Sequence, residues 1–323
     1  MPEDTPLNAP FAELTRPDLR REMAGMATLR DALRLAVSAF QEAGLYYGHG
    51  SATAVDEAVF MILESLNLPV DDFNAFADAR LTEREKTLLG ERLALRIEKR
   101  LPAAYITGRS YLLGLPFRSD ARALVPRSYI AELLRSPLFD GSEPAQSLIG
   151  DPYEVTSVLD LCTGGGSLAI FAAYAFPNAA VDAVDLSPEA LSLAAENVRD
   201  HGLEDRITLL QGDLFAPVKG KTYDLIITNP PYVGPEVMEV LPGEFLHEPQ
   251  MALAGGGGDG LDLVRRIIEE CRAHLNPEGG MLCEMGEDHD ILDEDYPDCE
   301  FLWLDSEDSA SEVFWLPATS QWS

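Results

Sequence analysis

Cysteine, histidine and lysine are all scarce in this 323-residue sequence, and each scarcity narrows the possible functions. The four cysteines, Cys162, Cys271, Cys283 and Cys299, form no CxxC pair. Neither a zinc site nor a disulfide framework is expected at this length, so the thiols should be free. The five histidines show no metal-ligand spacing, and no metal is expected. No apolar run approaches the roughly 20 residues that a membrane-crossing helix requires. The opening stretch Met1–Leu14, MPEDTPLNAPFAEL, lacks the basic and apolar regions of a secretory signal. A cytoplasmic location is therefore expected. Positive charge is low: 24 Lys+Arg stand against 55 Asp+Glu, a net charge of -31. The only lysines are Lys86, Lys99, Lys219 and Lys221. Such a field repels phosphate backbones and disfavours bare nucleic acid as the main partner. It suits either a solvated, salt-adapted surface or a basic protein partner.

The hydrophobic content, 46%, supports a sizeable core, and the length suggests two domains. The first hundred residues read as helices. Leu29, Leu33, Val37 and Phe40 recur at helical spacing, and Gly44 is a plausible stop. Thr53 with Asp56 and Thr82 with Glu85 have capping-box spacing ahead of apolar runs, and Pro102 closes the segment. From Tyr105, YITGRSYLLGLPFRSDARALVP reads as a hairpin or two short strands linking domains. Residues 136–152 are expected to form a mobile loop.

After residue 155 strands and helices alternate. Apolar strands are expected at 157–161, 180–186, 207–214 and 223–228, with helical patterns in LAIFAAYAF and PEALSLAAENVRDHG. A helix (LDLVRRIIEECRAHL) and a strand (GMLCEM) follow. The alternation implies right-handed βαβ units and a parallel sheet covered on both faces. The last two runs, 301–306 and 312–317, are separated by too few residues for a crossover and should pair antiparallel.

Four strand tips carry chemistry. The first ends in Asp160-Leu161-Cys162-Thr163-Gly164-Gly165-Gly166-Ser167, where glycines let backbone approach a ligand. Ala169 stands where a nicotinamide fingerprint would have its third glycine, which weakens a dehydrogenase reading. The second ends at Asp185-Leu186, with Ser187-Pro188 starting a helix; a carboxylate there suits a ribose diol. The third, Gly212-Asp213-Leu214-Phe215, offers an acceptor for an adenine amine and an apolar cover for its ring. The fourth is Asn229-Pro230-Pro231-Tyr232. Taken alone, the prolines could simply end a strand, and Tyr232 could be packing.

Taken in order, DLCTGGGS, AVDLS, GDLF and NPPY resemble class I S-adenosylmethionine-dependent methyltransferases, and NPPY resembles those acting on a planar nitrogen. From Leu29 to Leu316 the chain most resembles the protein-glutamine side-chain amide methyltransferases. That resemblance implies an α/β, Rossmann-like seven-stranded sheet with an antiparallel last strand. It also implies an N-terminal helical substrate-recognition domain (1–103), a β-hairpin linker (104–126) and a donor-binding catalytic domain (127–323). S-adenosyl-L-methionine is the implied cofactor, held by Arg127, Asp160, Cys162, Thr163, Gly164, Gly166, Asp185, Leu186, Asp213, Leu214 and Asn229. The substrate amide falls to Asn229, Pro230, Pro231 and Tyr232, with Asn229, Pro230 and Tyr232 catalytic. Arg127 could orient a carboxylate or a loop near the cofactor, or merely solvate. His247 and Glu248 sit in a loop expected to help close the substrate channel. Cys162 is not expected to act as a nucleophile.

Two branches of that family differ before the catalytic domain. Release-factor enzymes carry P-R-P-[DE]-T-E, whereas residues 125–132 read VPRSYIAE. This segment, with GLYYGHGSATAVDEA (44–58) and HEPQMALAGGGGDGL (247–261), resembles the branch acting on the third protein of the large ribosomal subunit. The chain departs from that branch in TGGGS, where TGSGC is usual, and in one extra glycine among Gly255 to Gly258. The alternatives are a release-factor enzyme, a methyltransferase for exocyclic amines of nucleic acid, and a non-catalytic ribosome-assembly protein.

An amide nitrogen is a poor nucleophile because its lone pair is conjugated with the carbonyl; the C–N rotation barrier of about 18–20 kcal/mol sets the scale. Acceptors on both N–H groups could aim that lone pair at a sulfonium methyl. The Asn229 side-chain oxygen and the Pro230 carbonyl are the candidates. The two prolines would hold them in place.

Overall fold

The computed structural model describes residues 18–306 and 309–320. The signal-free reading of Met1–Leu14 lies outside the described residues. Contacts divide the chain into two units between Thr107 and Gly108.

The first unit is helical: α1 (Leu19–Ala24), α2 (Leu29–Glu42), α3 (Ala54–Ser65), α4 (Phe73–Phe76), α5 (Glu83–Lys99) and α6 (Ala103–Thr107). Threonines start the three longest. Thr28 and Thr82 form complete capping boxes with Asp31 and Glu85. At Thr53 the box is incomplete. The Asp56 N–H donates to Thr53 Oγ1, but Thr53 Oγ1 itself donates to Asp56 Oδ2 at 2.6 Å. Leu29 and Phe40 point into the core, while Leu33 and Val37 lie at its edge; Ala32, Leu35, Ala36 and Ala39 complete the buried stripe of α2. Tyr105, expected to begin the hairpin, lies instead in α6. Its N–H donates to the Pro102 carbonyl, so Pro102 opens this short helix. Inside the unit, Arg96 Nε donates to Glu57 Oε1 at 2.7 Å, with both side chains almost fully buried.

The second unit begins with a hairpin, β1 (Arg109–Leu112) and β2 (Leu115–Arg118). Leu113 (φ +46) and Gly114 (φ +81) form its two-residue turn, and positive φ at both positions gives the tight turn of a twisted hairpin. Then follow α7 (Tyr129–Leu133), β3 (Ser157–Leu161), α8 (Ser167–Ala175), β4 (Ala180–Asp185), α9 (Pro188–Asp200), β5 (Ile207–Gln211) and β6 (Tyr223–Thr228). The chain ends with α10 (Pro235–Val240), α11 (Asp262–Cys271), β7 (Leu275–Glu284), α12 (His289–Asp295), β8 (Leu302–Leu304) and β9 (Val313–Pro317).

These strands form one seven-stranded sheet in the order β5-β4-β3-β6-β7-β9-β8. The first five run parallel, and β9 pairs antiparallel with both β7 and β8. The fold is that of class I methyltransferases. β5 ends at Gln211, earlier than the expected 214, because the chain turns at Gly212 and Leu214 adopts φ +44. β7 begins at Leu275, five residues before the expected GMLCEM.

Alternation along the central strands builds a core on each face of the sheet. Val158, Leu225, Ile227 and Leu282 pack with α7 and α8 on one side. Leu159, Leu161, Ile226, Met281 and Cys283 pack with α11 on the other. Residues 136–152 form no regular element, yet Phe139 is fully buried, edge-on to Trp315 at 5.7 Å. At the amino edge of the sheet one carboxylate joins three strands. Asp224 Oδ2 accepts from the backbone and hydroxyl groups of Thr156 and Ser157, and Oδ1 accepts from Asn276 Nδ2 at 2.6 Å. Among the described residues no helix is long and apolar enough to cross a membrane.

Candidate active site

The parallel strands bring the ends of β3, β4, β5, β6 and β7 to one edge. A cavity of about 1080 Å³, counted with its open mouth, lies there. Open α/β sheets bind ligands at this edge.

The first wall is the turn after β3. Cys162 (φ +57) swings the chain out of the strand. Thr163 Oγ1 donates to Asp160 Oδ2 at 2.5 Å, and the Ala169 N–H donates to the same oxygen at 2.9 Å. Asp160 thus holds the turn to the first turn of α8. It is fully buried and stands behind the cavity wall, and burial raises its pKa to about 7. Gly166 also stands behind the wall, as the left-handed N-cap of α8. A Cβ there would sit 3.1 Å from Ala194 Cβ, so the close approach of α8 and α9 requires glycine. Cys162, Thr163 and Gly164 line the cavity. Burial, with Asp185 and Asp160 nearby, pushes the Cys162 thiol up, so it stays protonated.

The Asp185 carboxylate joins the first two strand tips. Oδ2 accepts from the Gly164 N–H and Oδ1 from the Ser187 N–H, each at 2.8 Å. Burial raises its pKa. Each oxygen keeps lone-pair capacity toward the cavity, which Asp185 and Leu186 line. Asp213 and Leu214 line it from the third tip, and Asp213 Oδ2 also accepts from Arg266 Nη2 at 2.8 Å.

The fourth tip carries Asn229. Thr228 Oγ1 donates to the Leu161 carbonyl at 3.0 Å and fixes the strand end. Asn229 lines the cavity, with Nδ2 donating to Glu284 Oε1 at 2.8 Å and to the Arg127 carbonyl at 3.4 Å. Its Oδ1 has no partner among the described residues. Pro230 is buried, and its carbonyl takes part in no backbone hydrogen bond among the described residues. Pro230, Pro231 and Tyr232 all lie off the cavity wall, the last two half-buried. Tyr232 packs into the core on the α11 face; a Cβ on Gly286 would come 3.1 Å from its ring. Burial and the nearby Glu284 push the Tyr232 phenol up.

Arg127 does more than solvate. Its Nη1 and Nη2 donate to Glu248 Oε1 and Oε2 at 2.8 and 2.7 Å, and Glu248 Oε1 also accepts from the Val125 N–H at 3.0 Å. A fork-to-fork pair of this kind fixes geometry as well as charge. Glu248 is almost fully buried, and the Arg127 guanidinium lies 5.5 Å over the Phe245 ring. The pair ties the Val125–Ser128 segment to the loop after Asn229. His247 does not line the cavity.

The cavity wall thus combines the Asp185 and Asp213 carboxylates, the apolar side chains of Leu186 and Leu214, and the backbone of the glycine turn. The main residue missed in the sequence is Glu284, at the end of β7. It accepts from Ser128 Oγ at 2.6 Å, the Tyr129 N–H at 3.0 Å and Asn229 Nδ2. The signal was available: GMLCEM places Glu284 at a parallel-strand tip, as Asp185 stands at the tip of β4. Arg266 carried no such signal, since only the packing of α11 brings it to Asp213.

Residues 146–259 match the family model described as "Methyltransferase small domain". Three curated relatives carry the name "Ribosomal protein uL3 glutamine methyltransferase". The protein from Bradyrhizobium diazoefficiens is 53% identical over 293 residues, 91% of each chain. That from Bordetella pertussis is 45% identical over 291 residues, 90% of this chain and 95% of the relative. That from Neisseria meningitidis serogroup A is 46% identical over 291 residues, 90% of this chain and 93% of the relative.

Proposed function

The chain belongs to the ribosomal protein uL3 glutamine methyltransferase family, and from that premise we propose that it methylates a glutamine side-chain amide of uL3, in the large ribosomal subunit. The observation that carries the reading is the state of Asn229. Both recorded hydrogen bonds of its amide leave through Nδ2, so Oδ1 is a fixed acceptor on the cavity wall.

S-adenosyl-L-methionine, when bound, supplies an electrophilic methyl group on a sulfonium. Asp185 takes the ribose diol, Asp213 and Leu214 the adenine, and Cys162, Thr163 and Gly164 the amino-acid arm. Asp160 and Gly166 shape the turn from behind, and Arg127 holds its rim. Asn229 Oδ1 and the Pro230 carbonyl accept the two N–H groups of the substrate amide. With both protons held in place, the nitrogen lone pair points out of the amide plane toward the methyl. Pro231 stiffens the corner, and Tyr232 backs it. Forming the C–N bond would break the donor's S–CH3 bond, whose electron pair would stay on sulfur in the departing thioether; the nitrogen, left positively charged, would then lose one N–H proton to solvent without a strong base. Positioning and preorganised acceptors therefore supply the rate enhancement.

The helical N-terminal part (1–103) is assigned to recognition of the substrate protein, and residues 104–126 to its linker. A cytoplasmic location accords with a ribosomal substrate.

The test is mass spectrometry of purified uL3 after incubation with enzyme and methyl donor, beside release factor, RNA and DNA. A glutamine of uL3 gaining one methyl group is expected. Label on release factor or nucleic acid alone would overturn the reading. Asn229→Ala should fold, bind donor and lose about 10²–10³ in kcat, or about 3–4 kcal/mol.

A further inference from the structure

Asn229 can work only in one of its two amide orientations. With Oδ1 toward the cavity it accepts from a substrate N–H; turned by 180° it would present an NH₂ group to another NH₂ group. A side-chain amide has no strong intrinsic preference between the two, so a neighbour must choose.

Glu284 is that neighbour. It sits at the end of β7, almost fully buried, and every hydrogen-bonding group on it is a donor. Ser128 Oγ and the Tyr129 N–H both donate to Oε2, which leaves Oε1 to the Asn229 amide at 2.8 Å. An ionised carboxylate can only accept, so the Asn229 atom facing it must be Nδ2. The Arg127 carbonyl, 3.4 Å from the same nitrogen, favours the same orientation. Resting on the amide-methylation reading above, we infer that Glu284 is a positioning residue that sets the polarity of Asn229, and that the Ser128-Tyr129 segment sets Glu284 in turn. This gives the VPRS stretch a task at the acceptor end of the site: through Ser128 and Glu284 it determines what Asn229 offers to the substrate.

Glu284→Gln tests the polarity while keeping shape. The Tyr129 N–H can only donate, so it draws the glutamine oxygen to itself and turns the glutamine NH₂ toward Asn229. Asn229 must then turn its own oxygen inward. An aspartate at 229 has no such problem, because it presents an oxygen on both sides. At pH 8, E284Q is expected to lose at least tenfold in kcat on uL3, with donor affinity by calorimetry within about threefold of wild type. The E284Q/N229D double variant is expected to regain at least tenfold over E284Q. A merely structural role for Glu284 would not be rescued by a second change at Asn229. Near-wild-type kcat in E284Q, or no recovery in the double variant, would overturn the inference. If wild-type enzyme leaves uL3 unmodified, it is the amide-methylation reading that fails. A variant-free readout guards against misfolding. In wild-type protein labelled with ¹⁵N-asparagine, the Asn229 side-chain NH₂ should exchange slowly with solvent. Exchange as fast as in exposed asparagines would also overturn the inference.

Discussion

At the scale of single residues, the site contains two buried carboxyl groups with strongly raised pKa values. Glu284 is raised from its ordinary 4.5 to about 7, and Asp160 from 3.8 to about 7, both by burial against the pull of their hydrogen bonds. Between the ordinary and raised values the folded protein binds more protons than the unfolded chain. Stability therefore falls as pH rises through that window, and the full loss is reached above about pH 7. For Glu284 the shift corresponds to about 3 kcal/mol. Melting curves from pH 5 to 8 should show a decline, and Glu284→Gln should make it shallower by removing one contributor. An unchanged slope would mean that Glu284 does not titrate in this range. The protein thus gives up stability to keep a charge beside Asn229, as expected where a site needs a fixed acceptor and not a well-packed apolar contact.

At the scale of elements, the glycine loop after NPPY shows how position decides the meaning of a residue type. A Cβ on Gly255 would overlap the Gly260 carbonyl and stand 2.7 Å from both the Pro231 carbonyl and Tyr232 Cα. The Gly255 N–H donates to the Val233 carbonyl, and Val233 pairs with Ala254, so this loop lies directly along NPPY. Gly255→Ala should push the NPPY corner out of place and cost at least tenfold in kcat. Gly258, with nothing within 4 Å of an added Cβ, should accept alanine with activity within about twofold. Kinetics of the pair check this, and equal effects would count against it. The sequence carried strands and helices well wherever periodicity and caps agreed, as at Ser157–Leu161, Tyr223–Thr228 and the Ser187-Pro188 start of α9. It was less informative where tertiary contacts set the boundary, as at α6, where Pro102 starts a helix that composition assigned to the hairpin. In the site, strand-tip aspartates and NPPY were legible because each follows its own strand. The Glu284–Asn229 and Arg127–Glu248 pairs were not, since they join residues 55 and 121 apart.

At the scale of the whole molecule, the net charge of -31 should govern encounter more than chemistry. A protein that lives against ribosomal RNA carries cationic surface, and the enzyme's field attracts it over a Debye length of about 10 Å at 0.1 M salt. Raising salt from 50 to 500 mM should therefore increase KM for uL3 several-fold while kcat stays nearly constant. Steady-state kinetics on the protein substrate check this; a salt-independent KM would leave the charge to solubility alone. The Asp224 junction has a different consequence. Because one carboxylate binds the beginnings of β3, β6 and β7, these strands are riveted at the end opposite the site. Sliding of one past another would break that junction, so relative motion is restricted to splaying about it, like the ribs of a hand fan. The tips bearing the glycine turn, Asn229 and Glu284 can then spread or close together, but they cannot change register.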